Sequence, residues 1–114
     1  MRTRDALLEH LWRNVINTNL DASDFEEAIS FSTLRPNDPF ADTGAAIKRL
    51  LALGASPDDI CLLRRDSAYR AVFATLYALG DPGVNSDDVF MLHESLLSAD
   101  PSGLEGRPGS AKVV

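Results

Sequence analysis

The histidine and cysteine side chains that could ligate a metal ion are only three, His10, Cys61 and His93, and they are far apart in the sequence. His93-Glu94 matches the first two residues of a zinc-protease motif, but the second histidine of that motif would stand where the chain has Leu97. The other histidine, His10, belongs to a different predicted helix. Because one imidazole does not make a metal site, we predict none. The chain also lacks the glycine-rich motifs that bind nucleotides, so we predict no cofactor.

Cys61 is the only cysteine and the strongest candidate nucleophile. It stands near the start of a predicted helix, a position that lowers the pKa of a thiol. Its neighbours Ile60, Leu62 and Leu63 are apolar, which is typical of a small buried hydrophobic residue. We therefore favour a structural role for Cys61 and predict no catalytic residue. A lone thiol indicates a reducing compartment, and residues 1–10 hold no apolar signal segment, so we expect a cytoplasmic protein.

One group of polar side chains could line a pocket between helices. It consists of Tyr69, Arg70, Tyr77 and His93, the only such set that the pattern suggests. Side chains of these types bind or act on small ligands when they converge in a concave site. A small-ligand-binding or catalytic helical domain is therefore our alternative hypothesis for the function.

The elements that would position these residues are helices. Apolar residues recur at helical spacing, and no segment alternates with the period of two that a strand requires. We predict helices at about 5–18, 24–31, 42–53, 57–79 and 86–98. The segment 57–79 is compatible with one helix or with two, because Asp66-Ser67 could begin a second one.

Three sequence signals mark helix ends. Ser23, three residues before Glu26, has the spacing of a capping box for the second helix. Gly54 suits the left-handed position that follows the last turn of the third helix. Ser56-Pro57 is a strong start signal for the fourth helix, because serine caps and proline is tolerated in the first turn.

The segment 68–79 is the most apolar part of the chain and is interrupted only by Arg70 and Thr75. A helix that is apolar on nearly all sides must be surrounded. We therefore predict an all-α protein, an irregular bundle of four to five helices around this central helix. Residues 1–100 would form the single domain. Residues 101–114, rich in Gly, Pro and Ser, would be an extended or mobile tail.

The net charge of −6 comes from two acidic stretches. Residues 21–46 hold six acids and one arginine, and residues 71–100 hold five acids and neither lysine nor arginine. Helix dipoles favour acids at helix starts, but this does not explain the absence of cations from 71 to 100. A negative field steers basic partners and disfavours nucleic acid and anionic membrane surfaces.

These observations predict a non-enzymatic protein-interaction module, such as an inhibitor, antitoxin, immunity protein or regulatory subunit, that binds a basic protein. No pattern identifies the binding residues. If the second acidic stretch carries the face, reversing the charges of Asp87 and Asp88 together should weaken a salt-sensitive complex. A homo-oligomer that covers an apolar face is a further possibility.

Overall fold

The computed structural model describes residues 3–80, 92–108 and 110. Over these residues the chain forms helices and turns without a strand, which confirms the predicted all-α bundle. No helix within them combines the length and the apolar character of a membrane span. The α-helices of the described residues are α1 (Thr3–Leu11), α2 (Phe25–Leu34), α3 (Ala41–Ala52), α4 (Pro57–Leu79) and α5 (Leu92–Leu96).

The first predicted helix changes its winding along its length. α1 continues into a π-helical turn at Trp12–Ile16 and then into a 3-10 turn at Asn17–Leu20. The Thr18 hydroxyl and the Asn19 amide both donate to the carbonyl of Val15, at 3.1 and 2.8 Å. Side chains that compete in this way for backbone carbonyls weaken helices, so the predicted end near residue 18 has a local cause.

The predicted capping box at Ser23 is wrong. The chain is already in a 3-10 turn at Ala22–Asp24, and the extended residue is Asp21, with φ −89° and ψ 112°. The Asp21 carboxylate accepts the Ser23 amide at 2.8 Å, and this hydrogen bonding lowers the pKa of Asp21. A capping side chain needs an extended backbone, so the cap lies where the chain leaves the preceding turn.

The two predicted signals between α3 and α4 are confirmed. Gly54 follows α3 with a φ of +94°, a conformation that favours glycine. The Ser56 hydroxyl oxygen accepts the Asp58 amide at 3.1 Å, and Pro57 occupies the first turn. The helix that follows runs unbroken to Leu79, so 57–79 is one helix.

Two apolar clusters lie along α4. The Trp12 cluster joins α1, the π turn, the C-terminal half of α4 and α5; its buried members are Leu8, Trp12, Ile16, Leu76, Leu92 and Leu96. The Phe25 cluster joins α2, α3 and the first turns of α4; its buried members are Phe25, Ile47, Ile60 and Cys61. Because the 23-residue α4 contributes to both, it is the element that joins them.

The expectation that 68–79 is surrounded on all sides needs correction. Leu76 is buried, but Phe73 is 36% and Tyr77 63% exposed. Among the described residues, the elements that contact this half of α4 are short, and much of its exposed surface is formed by alanines. Much of the accessible surface of a folded protein is apolar, so an exposed helix side that is rich in alanine can look like a buried one in sequence.

The predicted extended or mobile tail is a series of turns over its described residues, 101–108 and 110. Asp100, 5% exposed, accepts the Ser102 amide at 3.0 Å and the Gly106 amide at 2.7 Å. Ser110 is buried as well. A buried carboxylate must be hydrogen-bonded, and here it holds the turns that follow the last helix.

The last predicted helix is described only in its second half. α5 covers Leu92–Leu96 and passes into a 3-10 turn at Leu97–Ala99, which agrees with the predicted end near 98. Its predicted start at about residue 86 lies outside the described residues.

Candidate functional site

The structure brings two of the four residues proposed to line a pocket into direct contact. His93 on α5 packs edge-on against Tyr77 on α4, with ring centroids 4.8 Å apart. It also meets Phe73 edge-on at 5.3 Å. Through these contacts α5 packs against the end of α4, because edge-to-face pairs of aromatic rings stabilise packing.

The other two residues of that set lie elsewhere. Tyr69 packs against Trp12, with ring centroids 5.6 Å apart, and burial raises the pKa of its hydroxyl. Arg70 is exposed and its Nε donates to Asp66 at 2.8 Å. Three of the four side chains are therefore part of a ladder of rings, and the fourth forms a surface ion pair.

The remaining candidate residues have structural surroundings. Cys61 is buried, as predicted, and burial raises the pKa of its thiol, which stays protonated at neutral pH. His10 contacts Asn14, one helical turn further along, at 3.1 Å. In the described ranges no three His, Cys, Asp or Glu side chains come together as metal ligands.

The first acidic stretch folds into the pair formed by α2 and α3. These two helices cross in backbone contact because Gly44 has no side chain. A Cβ at this position would overlap the carbonyl oxygen of Ala28 and would lie 2.9 Å from the amide nitrogen of Ile29. The close crossing sets the spacing of the side chains that flank it.

A shallow groove of about 280 Å³ lies beside this crossing. We call it the acidic groove. It is lined by two aromatic rings, two carboxylates and three small residues, namely Phe31, Phe40, Asp24, Glu27, Ala28, Thr43 and Gly44.

Phe40 is the most unusual residue of the acidic groove. Its side chain is 84% exposed, and its backbone has the left-handed values φ 63° and ψ 14°. A bulky residue with positive φ is rare, because its Cβ crowds the carbonyl oxygen that follows. The turn holds it there: the Ala41 amide donates to the Asp38 carbonyl and the Thr43 amide to the Phe40 carbonyl, both at 3.1 Å.

The two carboxylates of the acidic groove differ in their partners. Asp24 accepts two hydrogen bonds from Arg64, at 3.2 and 3.0 Å, and the Arg64 guanidinium lies 5.3 Å from the centre of the Phe25 ring. Glu27 is exposed and forms no ion pair with another described residue. Within the described residues, the groove therefore keeps one negative charge without an ion pair, next to its two rings.

The second acidic stretch does not form a comparable face in the described residues. Asp81, Asp87 and Asp88 lie outside them, so the predicted role of the Asp87–Asp88 pair stays a prediction. Glu94 is exposed on α5, whereas Asp100 is buried and holds the turns after the last helix.

Sequence reasoning missed two residues, Phe40 and Arg65. Arg65 had a detectable signal, because it shares the helical register of Cys61, Val72 and Leu76 on the inward side of α4. Phe40 had none, because its backbone conformation depends on how the turn meets α3.

Comparisons with protein-family models, with curated proteins and with solved structures find no match to this chain, so the acidic groove has to be interpreted from its own residues.

Proposed function

We propose that this protein is a non-enzymatic interaction module that binds a basic segment of a partner protein in the acidic groove. The observation that carries the proposal is Phe40, a ring that is 84% exposed on a strained backbone beside Phe31 and Glu27. Strained backbone conformations persist where the surrounding structure imposes them, and they concentrate at functional sites. An exposed aromatic anchor is also what interface hot spots contain.

The chemistry of the groove favours a cationic occupant. An arginine or lysine side chain between Phe31 and Phe40 would gain cation–π attraction from the faces of the rings. The carboxylate of Glu27 would supply the opposite charge, because the carboxylate of Asp24 is already paired with Arg64. The net charge of −6 would in addition speed the encounter with a basic partner.

The classes of protein that act in this way include inhibitors, antitoxins, immunity proteins and regulatory subunits, each of which occupies a surface of its partner. The same proposal assigns the protein to the cytoplasm, where a thiol such as Cys61 stays reduced.

Binding of a fluorescent arginine-rich peptide of about eight residues, followed by anisotropy at low and at moderate salt, tests the proposal. We expect saturable binding that weakens with salt, because part of the attraction is between exposed charges. We expect Glu27→Lys and Phe40→Ala each to weaken it about tenfold or more, a change typical of losing a hot-spot contact.

Two matched variants act as controls. Glu94→Lys makes the same change in net charge as Glu27→Lys on a helix of the other cluster. Leu53→Ala removes a side chain that is 84% exposed, like Phe40, from the other end of α3. Both should bind nearly as well as the unaltered protein. If Glu27→Lys and Glu94→Lys weakened peptide binding equally, the net charge alone would explain the effect, and the proposal that the peptide binds in the acidic groove would be wrong.

A further inference from the structure

Arg65 is a buried cation on α4 that has no acidic partner within reach among the described residues. It is 8% exposed, and its Nε donates to the side-chain oxygen of Asn17 at 2.9 Å. Its guanidinium carbon lies 5.4 Å from the centre of the Trp12 ring. Its Nη2 is buried and has no hydrogen-bond partner in the part of the chain that the structure describes. An unpaired buried charge is unfavourable, so an anion placed beside it would be strongly stabilised.

A cavity of about 280 Å³ adjoins Arg65. It lies between the π turn, the middle of α4 and the segment that follows α5. Its apolar lining comes from two aromatic rings and three aliphatic side chains, Trp12, Tyr69, Ile16, Leu62 and Leu97. None of its lining residues belongs to the acidic groove.

Two acids also line this cavity, but each has its own cation. Asp66 pairs with Arg70 at 2.8 Å, and Glu105 pairs with Arg107 at 3.3 Å. Both pairs are exposed to solvent, and dissolved salt screens the electrostatic interaction of these charges with Arg65 or a ligand. Of the three charged side chains in the lining, Arg65 is therefore the one that forms no ion pair with another described residue.

We propose that this cavity binds a small monocarboxylic acid with an apolar body. A guanidinium group can donate two parallel hydrogen bonds to a carboxylate, here from Nη1 and Nη2 of Arg65. Because Nη2 is buried, the guanidinium group would have to move toward the cavity for both nitrogens to reach a carboxylate. The planar group moves as one unit, so the bond from Nε to Asn17 would be exchanged for the bonds to the ligand. The apolar body would then rest against Leu62, Tyr69 and Leu97.

The size of the cavity limits the ligand. At about 30 Å³ for each water molecule, a volume of about 280 Å³ corresponds to roughly nine waters, which is the size range of a small organic molecule. Benzoate has this size and both required features, a carboxylate and an apolar ring. Inorganic phosphate has no apolar body, and the described lining offers it a single cation, Arg65, together with two carboxylates.

Titration of the full chain with benzoate, followed by fluorescence, tests the proposal, because Trp12 is the single tryptophan and lines the cavity. We expect a saturable change with a dissociation constant in about the millimolar range, as for a ligand of few atoms. Neutral benzamide, of the same shape, should bind at least about tenfold more weakly, because it lacks the charge that Arg65 recognises.

Arg65→Met should weaken benzoate binding at least about tenfold, and the protein should still fold, since the change removes a buried charge that has no ion-pair partner among the described residues. Arg49→Met, on the exposed side of α3, makes the same charge change and should bind benzoate normally. If Arg65→Met does not fold, the comparison of benzoate with benzamide on the unaltered protein decides.

The proposal is overturned if benzoate does not bind, if benzamide or inorganic phosphate binds as tightly as benzoate, or if folded Arg65→Met retains full affinity. Binding of the arginine-rich peptide is measured separately and depends on a different set of residues, so either proposal can fail alone.

Discussion

At the scale of single residues, Phe40 and Arg65 stand where their types are unfavourable. Phe40 keeps a left-handed backbone and an exposed ring, and Arg65 keeps a buried charge with an unpartnered nitrogen. Neighbouring residues hold both side chains in place. The turn before α3 imposes the left-handed backbone of Phe40, and Asn17 and Trp12 position the guanidinium group of Arg65. Unfavourable positions that a fold maintains are where binding has most to gain.

The backbone strain at Phe40 can be measured separately from the loss of its ring. We expect Phe40→Gly to be more stable than Phe40→Ala by about 1 kcal/mol, because glycine adopts positive φ without a steric penalty and alanine does not. Both variants lose the same exposed ring. Urea unfolding followed by circular dichroism gives the difference. Equal stabilities would show that residue 40 is not held in the left-handed region in solution.

At the scale of elements, the crossing of α2 and α3 depends on one missing side chain. Gly44 lies inside α3, where glycine is intrinsically unfavourable. Its presence is explained by the backbone of α2 at Ala28 and Ile29, which leaves no room for a Cβ. The same crossing sets the spacing of the side chains in the acidic groove. Gly44 therefore determines both the packing of α2 on α3 and the shape of the proposed binding face.

We expect Gly44→Ala to lower the free energy of unfolding by about 2 kcal/mol or more, because the added methyl group meets backbone atoms that cannot turn away. Gly54→Ala is the matched control. That glycine has a φ of +94° and nothing within 4 Å of an added Cβ, so we expect a loss of about 1 kcal/mol from conformation alone.

Urea unfolding of the two glycine variants makes this comparison. A Gly44→Ala variant as stable as the unaltered protein would mean that α2 and α3 are further apart than the crossing described above.

At the scale of the whole molecule, α4 couples two apolar clusters that lie along an elongated body of 46 × 32 × 20 Å. Ile60 and Cys61 enter the Phe25 cluster, and Leu76 enters the Trp12 cluster four turns later. Small domains unfold in one cooperative step when their parts share packed elements. We therefore expect a single transition in urea, at the same midpoint by tryptophan fluorescence and by circular dichroism.

A proline at the exposed Ser67, between the two clusters, should separate them. Ser67→Pro removes a hydrogen bond of α4 and introduces a clash with the preceding turn, at a cost of about 3 kcal/mol or more. Fluorescence reports the surroundings of Trp12, whereas circular dichroism reports helices of both clusters. We expect the two midpoints to differ in Ser67→Pro and to coincide in the control Ser67→Ala. Coincident midpoints in both would mean that the clusters remain coupled without an intact α4.

Local chemistry was readable from the sequence for much of the fold. The helical spacing of apolar residues predicted the all-α class, and Gly54 and Ser56-Pro57 marked the boundary between α3 and α4 correctly. The Ser23 signal failed because the preceding 3-10 turn already occupied that residue. The negative charge of the stretch 21–46 could be predicted from the sequence, but the groove that its residues form with Phe31 and Phe40 could not.

By itself, then, the amino-acid sequence determined which segments are helical, where α4 begins, and where the negative charge is concentrated, because these depend on neighbours within a few residues. Only the tertiary structure shows that Phe73 and Tyr77 of the segment 68–79 are exposed, that Asp100 is internal, and that Phe40 and Arg65 line cavities. Burial, left-handed strain at a turn and an unpaired charge all depend on residues far away along the chain, and no local pattern encodes which of them meet.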